Sequence, residues 1–302
     1  MSTLPVESAS GAWAAYRKWA STSAFYKALI DRFTRQSLWL AIVGAVLATL
    51  GQQLTAGART EGTLMWVYKA PGVLGAAAVA LSAYLAKQAQ ANDNTRMWTR
   101  ARTAAESLKS IIFLYRASVS PFDGADRIAK LASRVQKVED DFKDVPTRPR
   151  DSKPEEASAL TVDQYISERV DDQVQFYENR ALVHQKKADS WGKVTGVLGA
   201  IGALLTVVTT VAAVSAWAAV IATITAAITA YLKNQQYQML AATYQSTAIR
   251  LRLLKDEWTG SHKTDQDKAD RDSFIQSCED TMANENGAWT TLWSKNSGTS
   301  TS

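Results

Sequence analysis

Cysteine, histidine and proline are scarce in this chain of 302 residues, and each shortage excludes a class of chemistry. There is 1 Cys, Cys278, so neither an internal disulfide framework nor a paired-thiol metal site can form. The 2 His, His184 and His262, fall on different elements with no Cys or carboxylate cluster at ligand spacing. His184 lies on a heptad-spaced seam, where a buried, hydrogen-bonded imidazole is the ordinary reading. The 6 Pro and 15 Gly are too few for an all-β chain, whose turn signals recur every ~8–12 residues. Without strands, no P-loop, nucleophile elbow or dinucleotide fingerprint has the context it needs. Asp171 and Asp172 are adjacent, so on a helix they face different ways and make no catalytic dyad. Cys278 reads as packing on an amphipathic helix. The net charge of +5 is mild, and no basic cluster interleaved with aromatics marks a nucleic-acid surface. The opening MSTLPVESASGAW has no basic stretch leading into an apolar one, so no signal peptide is read. No catalytic residue, cofactor or metal is expected, and the chain reads as a non-enzyme.

What the chain does have is charge segregation. Charged residues are 21% of the whole, yet none lies between Lys193 and Lys233. That stretch, VTGVLGAIGALLTVVTTVAAVSAWAAVIATITAAITAYL, would be roughly 58 Å of helix, about twice the ~30 Å hydrocarbon core of a bilayer. It reads as a hairpin of two spans, residues 194–213 and 216–232, turning near Val214–Trp217. A second pair precedes it. Residues 37–54 lie in a window without charge of about 23 residues, long enough to span. After Arg59 and Glu61 the next span, 71–86, is predicted to start near Pro71, a residue suited to a first helical turn. Lys69 is excluded from mid-membrane by a cost of about 2.5–3.5 kcal/mol. At ~24 Å this span is shorter than the hydrocarbon core.

The two halves repeat one plan. FYKA at Phe25 answers FYEN at Phe176, AYLAKQAQ at Ala83 answers AYLKNQQY at Ala230, and TAAESLK at Thr103 answers TAIRLRL at Thr247. Residues 1–145 form the first unit, 146–160 a Pro-rich polar linker, 161–293 the second unit and 294–302 a tail. Thr161 followed by Gln164 has capping-box spacing. Beyond each hairpin the helix is predicted to continue unbroken, over 75–118 and 216–258. Each then carries a seam: Trp98, Leu108 and Tyr115 in the first, Tyr237, Tyr244, Leu251 and Trp258 in the second. The helix over 126–145 should turn Ile128, Leu131, Val135, Val138 and Phe142 inward. The fold class expected is all-α and membrane-bound: two repeated hairpins, four transmembrane helices, and a long cytoplasmic helical bundle. Lys27, Arg32, Arg35, Lys87, Arg96 and Arg100 flank the first hairpin, and Lys186, Lys187, Lys193 and Lys233 the second. The positive-inside rule therefore puts both termini and the linker in the cytoplasm.

Within the spans, Gly192, Gly196 and Gly199 on one helix and Ala218, Ala222, Ala226 and Ala230 on the other recur at small-xxx-small spacing. Such rows let helices approach closely, either within one protomer or between protomers. Thr206, Thr210, Thr225 and Thr229 are the polar content, available to line a water path or to bond their own helices. No span holds Asp, Glu, Lys, Arg or His, which argues against a proton relay, voltage sensor or ion-coupled transport site.

TRMWTRARTAAESLKSIIFLYRASVSPF resembles the post-membrane helix of SLATT domains, the SMODS- and SLOG-associating two-transmembrane effector domains. The matching residues are Trp98, then Ala105, Glu106, Ser107, Leu108 and Lys109, then Tyr115 and the Pro121–Phe122 turn. YISERVDDQVQFYENRA resembles the pre-membrane helix of a related subfamily, and FIQSCEDTMANENGAW its closing helix through Phe274, Glu279, Glu285 and Trp289. The second unit carries Ile249–Arg250 where the first has the Ala-Glu pair. The resemblance implies a bacterial conflict-system effector at the inner membrane. Such a protein would oligomerise and perturb the bilayer or form a pore, beside a nucleotide-signal sensor or synthase. The lipid bilayer and further copies of the chain are the other partners implied. The alternative is a non-enzymatic membrane scaffold recruiting a partner through its coiled-coil helices.

Overall fold

The computed structural model describes residues 9–57, 64–89, 92–148, 158–207, 212–261, 265 and 267–298. Among them every regular element is helical: α1 (Ala9–Gly57), α2 (Leu64–Ala89), α3 (Asn92–Arg116), α4 (Arg127–Asp141), α5 (Val162–Tyr165), a π turn (Ile166–Asp171), α6 (Asp172–Val207), α7 (Ala212–Gln235), α8 (Tyr237–Gly260) and α9 (Lys268–Gly298). Four helical stretches, Ala9–Ala56, Trp66–Arg116, Val162–Val207 and Ala216–Gly260, are long and apolar enough to cross a membrane. The chain is an all-α membrane protein.

Packing divides the chain differently from its repeats. One compact unit, the bundle, joins 1–28, 92–183 and 240–302; the other, the hairpin unit, joins 29–91 and 184–239. Each repeat contributes to both.

The hairpin unit is held at its first hairpin by backbone contact. A Cβ on Gly51 would lie 2.3 Å from the Gly72 nitrogen, and one on Gly75 would lie 2.4 Å from the Ala48 nitrogen. Only glycine permits that approach. Nearer the other end, Ser37 Oγ donates to the Ser82 carbonyl at 2.9 Å and Ser82 Oγ donates to the Ser37 carbonyl at 2.8 Å. This reciprocal pair replaces hydrogen bonds that water would otherwise supply. The crossing explains a departure from expectation. Pro71 does not open a helix but sits inside α2, seven residues after Leu64. Interior proline is tolerated in transmembrane helices because neighbours can satisfy the freed carbonyl, and here it adjoins the Gly51 contact.

The bundle has an apolar core with a polar centre. Trp19, Leu108, Ile112, Leu131 and Ile275 are almost fully buried. In α4, Leu131, Val135 and Val138 point inward as predicted. Ile128 does not; it is 52% exposed, because α4 starts one residue before it and its side chain falls off the buried stripe. Glu139 of α4 accepts from Trp19 Nε1 at 2.9 Å and pairs with Lys18, fixing α4 to α1. Thr161 and Gln164 form the expected capping box: Gln164 N donates to Thr161 Oγ1 at 3.3 Å and Thr161 N to Gln164 Oε1 at 3.0 Å. The helix then passes through the π turn, a local widening that often presents a special side chain. Here it presents Arg169.

Arg169 and Glu279 are each 2% exposed and joined by two bonds of 2.9 Å, Nε to Oε1 and Nη2 to Oε2. Tyr165 donates its hydroxyl to Glu279 Oε1 at 3.0 Å, and the guanidinium lies over the Phe113 ring at 4.8 Å. Burial alone would lower the pKa of Arg169, but the Glu279 carboxylate outweighs it and holds the group charged. Burial, and then Glu279, push the neighbouring Cys278 thiol up to about 12. At neutral pH that sulfur is a protonated, inaccessible thiol.

Three outcomes follow. Glu279→Leu leaves a buried, unpaired guanidinium, which costs about 3–5 kcal/mol. It should lower the melting temperature of the detergent-solubilised protein by roughly 10 °C, and adding Arg169→Met should recover most of the loss. A thermal scan of the three proteins decides this; no recovery in the double variant would contradict it. Maleimide at pH 7.5 should leave Cys278 unlabelled in opened cells and label it only after denaturation. In the first hairpin, Gly51→Ala should destabilise by at least 1–3 kcal/mol, the usual cost of overpacking. Gly72→Ala, whose Cβ would meet Gly51 Cα at an ordinary 3.7 Å, should be tolerated. Equal melting temperatures for the two variants would overturn this reading of the crossing.

Candidate functional site

The second hairpin, α6 and α7, is built on the opposite principle from the first. The most apolar window of the helix that includes α6 has 0% of its residues buried. Leu204 is 69% exposed and Val207 81%. A Cβ added at Gly192, Gly196 or Gly199 would meet nothing within 4 Å. Only Gly202 comes close to the partner helix, its Cβ position lying 3.3 Å from Ile221 Cγ2. Small residues that close the first hairpin are left open in the second.

Between α6 and α7 lies a groove of about 700 Å³, lined among others by Gly199, Ala218, Ala222, Ala226 and Ala230, with Lys233 at one end. The structure thus brings five of the seven small residues singled out from sequence to one groove and leaves Gly192 and Gly196 outside it. Thr206, Thr225 and Thr229 also line it, but each hydroxyl donates to its own helix: to Ala203 O at 2.6 Å, Ile221 O at 2.8 Å and Thr225 O at 2.8 Å. Within one protomer these donors are used internally, so the groove presents hydrocarbon. Thr210 lies outside the described residues.

Towards the basic end the two helices meet again through aromatics. The Trp191 and Tyr231 rings are 5.4 Å apart, and Tyr231 and Tyr237 share a hydroxyl hydrogen bond of 3.1 Å. His184, half-buried, lies with its ring tilted 39° to that of Tyr237 at 5.7 Å, and Lys187 lies 5.5 Å from the same ring. His262 is outside the described residues. At this point the helix expected to run unbroken over 216–258 is interrupted. Gln236, between α7 and α8, has φ 48°, and its amide still donates to Leu232 O at 3.0 Å. A left-handed residue without glycine's freedom costs about 1–2 kcal/mol; the Tyr237 contacts on the far side of the break hold it there. In the first repeat α2 ends at Ala89 and α3 begins at Asn92, with residues 90–91 outside the description.

The predicted seam residues lie in both units. Tyr237 belongs to the hairpin unit; the others belong to the bundle. Trp98, Leu108, Tyr237, Tyr244, Leu251 and Trp258 are buried. Trp98 carries Lys27 over its ring at 4.9 Å, Tyr244 stacks on Tyr177 at 5.8 Å, and Trp258 stacks on Phe274 at 5.1 Å. Tyr115 is half-buried under the Arg127 guanidinium at 4.4 Å. Glu106 is half-buried, and its charge helps hold Arg102 and Arg169 protonated. Sequence reasoning missed the bundle's charged centre: Arg169 with Glu279, and Arg102 with Glu285 at 3.3 Å. Of the four, sequence reasoning singles out only Glu279 and Glu285, through the family resemblance. The closing helix also runs on through the expected tail to Gly298. Among the described residues no three His, Cys, Asp or Glu converge as metal ligands.

Two family models match the chain, one over each hairpin. Residues 12–129 match a model described as a protein of unknown function, DUF4231. Residues 165–289 match the model of the SMODS and SLOG-associating 2TM effector domain 1. No curated protein and no solved structure matches. The second half of the chain thus carries a SLATT-type two-transmembrane effector domain, and the two matches, one over each hairpin, are consistent with a tandem SLATT-type protein.

Proposed function

We propose that this protein is a membrane effector of a bacterial conflict system, acting at the inner membrane by oligomerising and perturbing the bilayer or opening a pore. The observation that carries the reading is the open glycine face of α6. Gly192 and Gly196 stand four residues apart with nothing within 4 Å, a small-xxx-small surface available to another protomer. The effector description of the family matched over 165–289 supports it. Both termini face the cytoplasm in this reading, where the bundle would receive a nucleotide-dependent signal from a sensor or synthase partner.

A second reading, a membrane scaffold, is favoured by one feature of the bundle. Ile249 and Leu253, one turn apart on α8, are 50% and 63% exposed and offer an apolar strip to a partner helix.

Because the protomer leaves space at both glycines, Gly192→Leu with Gly196→Leu should insert and fold like the wild type. The substitutions should nevertheless weaken protomer packing by about 1–3 kcal/mol per site, roughly tenfold or more in assembly. With membrane levels matched, activated or artificially clustered wild type should depolarise cells carrying a potential-sensitive dye, and the double variant should not. Equal depolarisation would reject this face. No depolarisation by clustered wild type would favour the scaffold. For topology, Arg59→Cys should react with an impermeant thiol reagent on sealed spheroplasts, in a background where buried Cys278 needs no replacement.

A further inference from the structure

The lining of the groove between α6 and α7 runs from Leu198 past Gly202 to Thr206 on α6 and from Ala218 to Lys233 on α7. The α7 side is about 22 Å of helix, short of the ~30 Å hydrocarbon core. Its lining is alanine, glycine, leucine, isoleucine and threonines whose hydroxyls bond their own helices. At its end stands the exposed ammonium of Lys233, with Trp191 and Tyr231 where aromatic belts meet headgroups.

We propose that this groove is a binding site for an anionic glycerophospholipid: one acyl chain fills the groove and the phosphate sits at Lys233. Three features favour this occupant over a helix from a second copy. A spanning helix would need a seat along the full ~30 Å, and this one is about 22 Å long. A groove about 700 Å³ in volume over that length suits a flexible chain better than a rigid rod ~10 Å across. The cationic end also complements a phosphate, and the positive-inside rule sets it against the anionic leaflet. The site exists in the single protomer, so it stands whether or not the chain forms a pore.

The test uses the full-length protein in nanodiscs doped with a phosphatidylglycerol carrying a diazirine on its acyl chain, compared with the phosphatidylcholine of identical chains. After photolysis, mass spectrometry maps the adducts. Phosphatidylglycerol should label groove residues such as Leu198, Ala222 and Ala226 in preference to phosphatidylcholine. Lys233→Gln should reduce that preference about fivefold, the effect of one basic residue near an anionic surface, while Lys233→Arg preserves it. Ala222→Phe with Ala226→Phe should abolish groove adducts without changing labelling on the outer face at Val197 or Leu204. Equal labelling by the two lipids in the wild type would overturn the proposal. So would groove adducts that survive the phenylalanine substitutions, or cross-links from Ala222 and Ala226 to a second copy in place of lipid.

Discussion

The feature on which the rest of this structure depends is apolar surface that the protein does not cover itself. A soluble chain could not leave Trp66, Leu204 and Val207 each about 70–80% exposed without aggregating, since soluble monomers keep contiguous apolar patches to a few hundred Å². In a bilayer the same surface carries no penalty. Hydrophobic burial is then no longer what brings helices together, and contact, hydrogen bonding and shape take over. This is why the first hairpin relies on glycine backbones in direct touch and on a reciprocal serine pair. Packing quality, not apolar area, decides which helices close and which stay apart.

The bundle obeys the opposite rule. Its core is conventional, with Leu108, Ile112, Leu131 and Leu251 fully enclosed, yet at its centre lies an ion pair that a purely apolar core would not need. Arg169 and Glu279 gain little net stability over packed hydrocarbon. What they impose is register: a guanidinium bonded twice to one carboxylate and capped by Tyr165 and Phe113 accepts a single placement of the π turn against α9. Arg102 with Glu285 ties α3 to the same helix. In a bundle whose helices come from both repeats, slippage by one turn would be inexpensive for apolar stripes alone. The charged centre makes it costly.

Those physics explain what could be read from sequence and what could not. The last two spans were legible because the absence of charge between Lys193 and Lys233 admits few alternatives, and the first two because similar windows precede them. The capping box at Thr161 and the inward stripe of Leu131, Val135 and Val138 were legible because capping and periodicity are local. The break at Gln236 was not, since nothing about that residue or its neighbours disfavours a helix; tertiary contacts of Tyr237 select it. Nor was the interior position of Pro71, which depends on a helix crossing that only the fold creates. The small residues are the clearest case. Gly51, Gly75, Gly196 and Gly199 look alike in sequence, but the first two are pressed against backbone and the last two face open space. Spacing shows that a close approach is possible, not which helix makes it.

That asymmetry bears on why two units are joined in one chain. In an assembly of single hairpins, one set of small residues must both close each hairpin and meet its neighbours, and strengthening one contact consumes the surface for the other. Here the tasks are separated. The first hairpin uses its glycines on itself and is closed by contacts that leave no room even for a methyl group at Gly51 or Gly75. The second keeps its glycine face and groove free, held to its partner helix near Gly202 and at the aromatic end. A hairpin fixed at two points and open between them can change its lateral contacts without coming apart. A hairpin closed along its length cannot, and so provides the rigid side of the same unit.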